Sequence, residues 1–481
     1  MFKKAVLLFV SLFFLLCSFQ VTAQTGIPDR FKSLIDKGEF SRAQQLMRQE
    51  LATNPEMAPA ERLEVCFEIE RLERIKKDFA KTEKEIVDYI ERYYPRVSEA
   101  DLRRWEKEKS LEFMIIDGEK RYFDQAGPNL FRIDRELRQL KKAKEKPGPP
   151  PLYNRLEDVK KIVEAARASG KRFVNPVHVR VTYTLTVAKD AVPAGEVIRC
   201  WLPFPREIED RQTGVKLISS KPGRHIIADN RDYLQRSIYL EQAAEAGKSP
   251  VFEVVFEFEN YAVHQKIDPA RIVPAKITAG LEPFVRERPP HVVFSEELKT
   301  LNRQIVGDEK NPYLIARKIF KFISDNIPWA SAREYSTFYN ISDYVRRNMH
   351  CDCGMHSIFF ITLCRMNGIP ARWQSGWTTK PGGGGMHDWG EIYFEPYGWL
   401  PCDADIGVLN SEDEDIKWFF LGGMDAYRLI VNDDYSRPLY PLKIHHRSET
   451  VDFQRGEVEW RGGNLYFDQW RWNYDVKLLN R

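Results

Sequence analysis

The sequence predicts a multidomain chain. An N-terminal α-helical domain (28–142) is followed by an antiparallel β-sandwich (175–265), an α+β core (270–410) and C-terminal strands (411–481). Three observations predict this order. Apolar residues recur at helical spacing in the first part, alternate strictly from about residue 175, and show both periods after residue 270. The chain has 481 residues, of which 43% are hydrophobic and 30% charged, enough for about three domains. Its formal net charge of +3 is small, and no basic stripe with interleaved aromatics stands out, which argues against a general nucleic-acid binder.

Residues 1–23 read as a signal peptide. Lys3 and Lys4 precede an apolar run over 5–17 broken only by Ser11, and Val21-Thr22-Ala23 offers small residues for cleavage before Gln24. The run is short for a membrane span. The expectation is an exported protein, periplasmic or extracellular, with no transmembrane span in the mature chain. A lipid-anchored form through Cys17 is the alternative, which the bulk of Leu16 disfavours.

In the helical domain, Phe31, Leu34, Ile35 and then Ala43, Leu46, Met47 and Leu51 make two apolar stripes, with Gly38 as the break of a helical hairpin. The hairpin is like one tetratricopeptide unit, but no second copy follows at that period. A domain that packs, or that binds a protein partner, is the expectation. Residues 143–154 are charged and then proline-rich, as in a linker, and "RLEDVKKIVEAARASG" reads as a short helix. "VHVRVTYTLTV", "EVIRCWLPFP" and "PVFEVVFEFENYAV" read as strands of the sandwich. In the core, "NPYLIARKIFKFISDNI" is an amphipathic helix. In the tail, Trp470, Trp472, Tyr474, Val476 and Leu478 share a strand face after the turn "RGGN". That face reads as buried in a sheet, with sugar binding as the alternative.

The chemistry concentrates in "HCDCGMHSIFFITLCRMNGIPAR", 350–372. Met355, Ile358, Phe359, Leu363 and Met366 form the stripe of a helix that Gly368 and Pro370 end. Cys353 falls in its first turn, where unpaired N–H groups and the helix dipole favour an anion. The expectation is a thiol of lowered pKa and a ready oxyanion site. Downstream, His387 opens a strand after the glycine run 382–385, and Asp403 ends the next strand sixteen residues on. A turn at "EPYG" would set His387 and Asp403 side by side. Cysteine, histidine and aspartate then follow in the order of a papain-like thiol enzyme.

These residues carry a resemblance. Cys353 opening a helix, Arg365 near its end, "GIPAR" at 368–372, "HDWGE" at 387–391 and "GWLPCD" at 398–403 resemble the core signature of the transglutaminase-like superfamily, over about 310–410. The resemblance implies a papain-like core in which Cys353 is the nucleophile, His387 the general base and Asp403 the residue that orients it. It implies attack on a peptide or carboxamide bond through a thioester, with a protein or peptide substrate and no cofactor. Water or an amine would resolve the thioester, giving a protease or amidase, a deamidase or a cross-linking acyl transferase. A second oxyanion donor is expected upstream, with Trp329 as candidate. The chain departs from the pattern at Cys351, Asp388 and Cys402. Cys351 and Cys402 flank the triad and are a possible disulfide, while Asp388 would tune the imidazole or face solvent.

Other readings compete. His350, Cys351, Cys353 and His356 are metal-binding residue types, but C-x-C is tighter than zinc sites usually use, so no metal is expected. No EF-hand pattern is present, so no calcium requirement is expected. Cys66, Cys200 and Cys364 read as core. The glycine run reads as a mobile loop beside the site. A cell-surface binding scaffold that retains the core without catalysis is the alternative function.

Overall fold

The computed structural model describes residues 28–146, 148 and 150–479, and the expected signal peptide lies outside them. The chain divides into two units. One takes the described residues up to Glu73 with Ile115–Glu119; the other takes Arg74–Met114 and the chain from Lys120 onward.

In the first unit, the helices Asp29–Asp36 and Phe40–Thr53 form the hairpin expected at Gly38. Phe31, Ile35, Phe40, Ala43 and Met47 are its buried stripe. Gly38 has φ +78°, and a Cβ there would lie 2.2 Å from the Ile115 carbonyl oxygen, so the turn requires glycine. The stretch 28–142 is not helical throughout. Strands β1 (Phe113–Ile116) and β2 (Glu119–Tyr122) make a two-stranded hairpin. Its turn is Asp117-Gly118, with φ +50° and +86°, the pair that a tight hairpin favours.

The helix Pro59–Asp78 runs from the first unit into the second, which contains the later helices of this region. Thr82 with Glu85 and Ser98 with Asp101 close capping boxes that start the helices Glu83–Ile90 and Glu99–Lys107. The helix Arg155–Ser169 follows the proline-rich stretch, capped by Asn154.

The sandwich begins with β3 (Phe173–Val187), β4 (Val197–Pro203), β5 (Gln212–Lys221), β6 (His225–Ile227), β7 (Ser237–Ala243) and β8 (Val251–Val263). The core sheet uses β9 (Ala371–Thr378), β10 (Gly385–Phe394), β11 (Gly398–Cys402) and β12 (Arg428–Asn432). The tail adds β13 (Glu457–Trp460), β14 (Gly463–Leu465) and β15 (Trp470–Leu478). Strand orders are β15-β3-β8-β5 and β14-β13-β4-β7-β6 in the sandwich, and β11-β10-β9-β12 in the core sheet.

The boundary drawn at residue 410 does not separate these sheets. The tail supplies β12 to the core sheet, beside β9, and supplies β13 and β15 to the sandwich, beside β4 and β3. Trp470 is buried, and Trp472, Tyr474, Val476 and Leu478 are partly buried against the sandwich core of Val181, Leu185, Trp201 and Phe256. Packing rather than sugar binding accounts for that face.

The helix Cys353–Met366 lies against the core sheet with nearly every side chain buried. A Cβ on Gly390 of β10 would be 3.8 Å from Ile361 of this helix, which marks how closely helix and sheet approach. In the exposed glycine loop before β10, Gly384 is the point of close approach. A Cβ on Gly384 would lie 1.8 Å from the Thr378 carbonyl and 2.0 Å from the Tyr474 hydroxyl, so this residue sits directly against β9 and β15. No helix among the described residues is long and apolar enough to cross a membrane.

Candidate active site

Cys353 is the first residue of its helix, as its place in the sequence requires. Asp352 caps that helix by accepting from the Met355 N–H at 3.1 Å, and it also accepts from the Tyr335 hydroxyl at 2.7 Å. The first-turn N–H groups of Cys353 and Gly354 have no carbonyl four residues back to bond. They remain next to the sulfur, where an oxyanion would form.

Antiparallel pairing of β10 with β11, in the register Gly390↔Cys402, brings His387 and Asp403 together across the two strands. His387 Nε2 lies 2.8 Å from Asp403 Oδ2. Asp403 is fully buried and also accepts from Arg428 at 2.9 Å and from the Ile406 N–H at 3.3 Å. Burial works against its charge, but His387 and Arg428 hold the carboxyl well below the usual carboxylate range. With Nε2 bound to Asp403, the Nδ1 of His387 is the nitrogen left for a thiol or a departing amine.

The sulfur's own hydrogen bond goes elsewhere. Cys353 Sγ is 3.4 Å from Asp388 Oδ2, and among the described residues no hydrogen bond joins Cys353 to His387. Asp388 does not face solvent, and among the described residues no hydrogen bond joins its carboxyl to the imidazole. It is 2% exposed and is anchored by Gln454, whose amide donates to Asp388 Oδ1 at 2.7 Å and to the His387 carbonyl at 3.0 Å. Burial, then Asp452 and Asp352, push the Asp388 carboxyl well up.

This neighbourhood reverses the expectation of an acidic thiol. Burial first, then Asp388, Asp352 and Asp405, raise Cys353 well above an ordinary thiol, while the Asp388 backbone N–H pulls the other way. A helix N-terminus lowers a thiol pKa only where carboxylates and desolvation do not outweigh it.

Trp329 is 43% exposed and lines the same cavity as Cys353, together with Asp388, Asp452 and Arg455. The Arg132 guanidinium sits 5.0 Å from its ring centroid. Cys351 and Cys402 are both free thiols, so the possible disulfide is not formed. Cys351 is held in a parallel bridge with Trp329, whereas Cys402 ends β11 and its sulfur packs at Gly390.

The metal-type residues near Cys353 are engaged otherwise. His350 Nε2 lies 2.9 Å from the Lys109 carbonyl, and His356 meets Asp405 and the Ile327 carbonyl, each at 3.0 Å. His387, Asp403 and Asp405 do bring ligand-type atoms within 4.8 Å of one another. Asp403 Oδ2 is already shared by His387 and Arg428, and a guanidinium beside it opposes a cation.

Sequence reasoning missed Arg428 and Gln454. Each lies beyond the quoted motifs, in the tail read as a separate extension, and neither has a local signature that marks it.

Residues 299–404 match the model of the transglutaminase-like superfamily. Among solved structures, the chain is similar to a candidate cysteine protease from Cytophaga hutchinsonii, with 16% identity and TM-score 0.43, covering 64% of this chain and 93% of that one. It is also similar to the periplasmic domain of TgpA from Pseudomonas aeruginosa bound to ethylmercury, with 13% identity and TM-score 0.25, covering 54% of this chain and 97% of that one. A comparison with curated proteins gives no match.

Proposed function

We propose, since residues 299–404 match the model of the transglutaminase-like superfamily, that the chain is a cysteine enzyme that cleaves peptide or carboxamide bonds through a thioester on Cys353. The observation that carries this reading is the buried His387–Asp403 pair at 2.8 Å, on the strand whose next residue touches the Cys353 sulfur.

In the first half-reaction the Cys353 sulfur attacks the carbonyl carbon. His387 takes the thiol proton, and the new S–C bond forms as the carbonyl becomes an oxyanion. First-turn N–H groups of the cysteine helix are the oxyanion donors, with the Trp329 indole as a second candidate. Collapse of the intermediate breaks the C–N bond, and the imidazolium gives its proton to the departing amine or ammonia. Asp403, held ionised by Arg428, stabilises that imidazolium and fixes the ring. Water then resolves the thioester, or an amine does so in acyl transfer. Hydrolysis is the favoured second step. Export to the periplasm or cell surface is part of the same proposal and rests on the leader-like residues 1–23.

The test is mass spectrometry on a mixed peptide and protein pool, with and without a primary amine, comparing the chain with Cys353→Ala. New termini, deamidated glutamines or amine adducts that vanish in the variant identify both the nucleophile and the second step. Products that persist in the variant would show that another residue is the nucleophile. Silence of both across the pool would favour a binding scaffold.

A further inference from the structure

The strand β10 has a cavity on each side of His387 and Asp388, and the two differ in charge. Met386 lines both. The cavity that holds Cys353 is rich in acids, Asp352, Asp388, Glu449 and Asp452, with Arg333 and Arg455 beside them. Its Arg455 is shared between Glu449 and Glu334, at 2.7 Å from each.

The cavity that holds His387 is cationic and has a volume of about 300 Å³. Arg155, Lys380, Arg428, Asp405 and Asp425 line it. Its carboxylates are spent on partners within the fold. Asp425 accepts from Arg428 at 2.8 Å, and Asp405 lies 3.0 Å from His356 Nδ1. Arg428 is divided between Asp425 and Asp403. Arg155 and Lys380 are left, and among the described residues neither has a carboxylate within ion-pairing distance. Lys380 is partly buried. Burial, then Arg155 and Arg428, pull its ammonium below the ordinary lysine value, while Asp425 acts the other way.

We infer that this cavity is a carboxylate subsite, and that the substrate carries an anionic carboxylate on its leaving-group half, seated against Lys380 and Arg155. The inference rests on the roles proposed for Cys353 and His387. As the Cys353 S–C bond forms and the C–N bond breaks, the imidazolium of His387 protonates the departing amine. The departing fragment is therefore the one that lies on the histidine side. The volume is at the low end for ligand sites, so the fragment is short, one or two residues. The carboxylate is then either the free C-terminus of a peptide or an aspartate or glutamate side chain just beyond the scissile bond. Two charge-assisted contacts give a preference of roughly 10- to 100-fold for the acid over a neutral analogue.

The experiment measures binding to the full chain carrying Cys353→Ala, so that no turnover intervenes. Titration calorimetry at low salt compares N-acetyl-Ala-Ala, its C-terminal amide, and N-acetyl-Ala-Glu amide. The acid is expected to bind roughly 10- to 100-fold more tightly than the amide. Lys380→Gln and Arg155→Gln are each expected to reduce that preference, with melting temperatures unchanged. Tight binding of the Glu amide assigns the site to side chains, and tight binding of the free acid alone assigns it to C-termini. Equal binding of acid and amides, no binding of any, or a preference that survives the double variant would overturn the subsite. Because the readout does not need Cys353, acid-selective binding beside an absence of Cys353-dependent products would sink the enzyme reading and leave the subsite standing.

Discussion

At the residue scale, the surroundings of Cys353 decide more than its position on the helix. Cys353, His387 and Asp403 were legible because each sits in a local pattern: a helix start, a strand start and a strand end. Asp388 was visible only as a departure, and its contact with the sulfur could not be read, because which side of a strand meets the cysteine depends on packing. That contact makes a prediction. Asp388 is one of the charges that raise the thiol, after burial. Replacing it with asparagine keeps a polar group for Gln454 and removes the carboxylate. The rate of Cys353 alkylation by iodoacetamide, followed from pH 5 to 10, should rise at lower pH in Asp388→Asn than in the parent chain. An unchanged profile, or one moved to higher pH, would show that Asp388 does not set the thiol's protonation.

At the element scale, two glycines separate the roles of helix and sheet. A Cβ on Gly354 would lie 2.1 Å from the Tyr335 hydroxyl and 2.8 Å from Asp388 Oδ2, groups that line the sulfur's cavity. A Cβ on Gly376 of β9 would lie 1.9 Å from the Leu429 carbonyl of the neighbouring β12. The first clash falls on side chains of the site and the second on backbone of the core sheet. Gly354→Ala is therefore expected to change Cys353 alkylation strongly and to cost less stability than Gly376→Ala. Gly376→Ala is expected to cost stability, about 1–3 kcal/mol as for other overpacked interiors, read from urea unfolding. The reverse ranking in those two assays would sink the argument. The helices Pro312–Asn326 and Cys353–Met366 could be read from periodicity, stops and caps alone. The β1–β2 hairpin was not, although its Asp-Gly turn is a strong local signal, because helical periodicity on both sides masked two strands of four residues each.

At the scale of the larger unit, the chain's late segment completes sheets that its earlier segments begin, and this is what a linear list of domains hides. Strand pairing over long sequence separations leaves no local trace, so β12, β13 and β15 read as an appendage. Buried acids of this unit also tie its stability to pH. Asp78 accepts from the Glu334 N–H at 3.0 Å, and burial, then Glu334, push its carboxyl up to about 7. Since the unfolded carboxyl titrates near 4, the folded state holds the extra proton between these values. Its stabilising effect is full below about pH 4 and is lost as pH rises through about 7. Asp78→Asn should thus raise the melting temperature at pH 8 and change it little at pH 4; an equal shift at both would exclude this linkage. The segment 270–410 carries Cys353, His387, Asp403 and the motifs around them. Cut out alone, it loses β12 from the edge of β9 and loses Arg428 from Asp403. It also loses the Gln454 amide that holds the carbonyls of Gly376 and His387. A buried carboxylate stripped of its cation and an opened sheet edge are each destabilising. The isolated segment is expected to show no cooperative thermal transition and no dispersed amide spectrum, while the full chain shows both. A cooperative melt of the segment alone would mean that the core folds without its tail, and that Arg428 and Gln454 adjust the site rather than complete it.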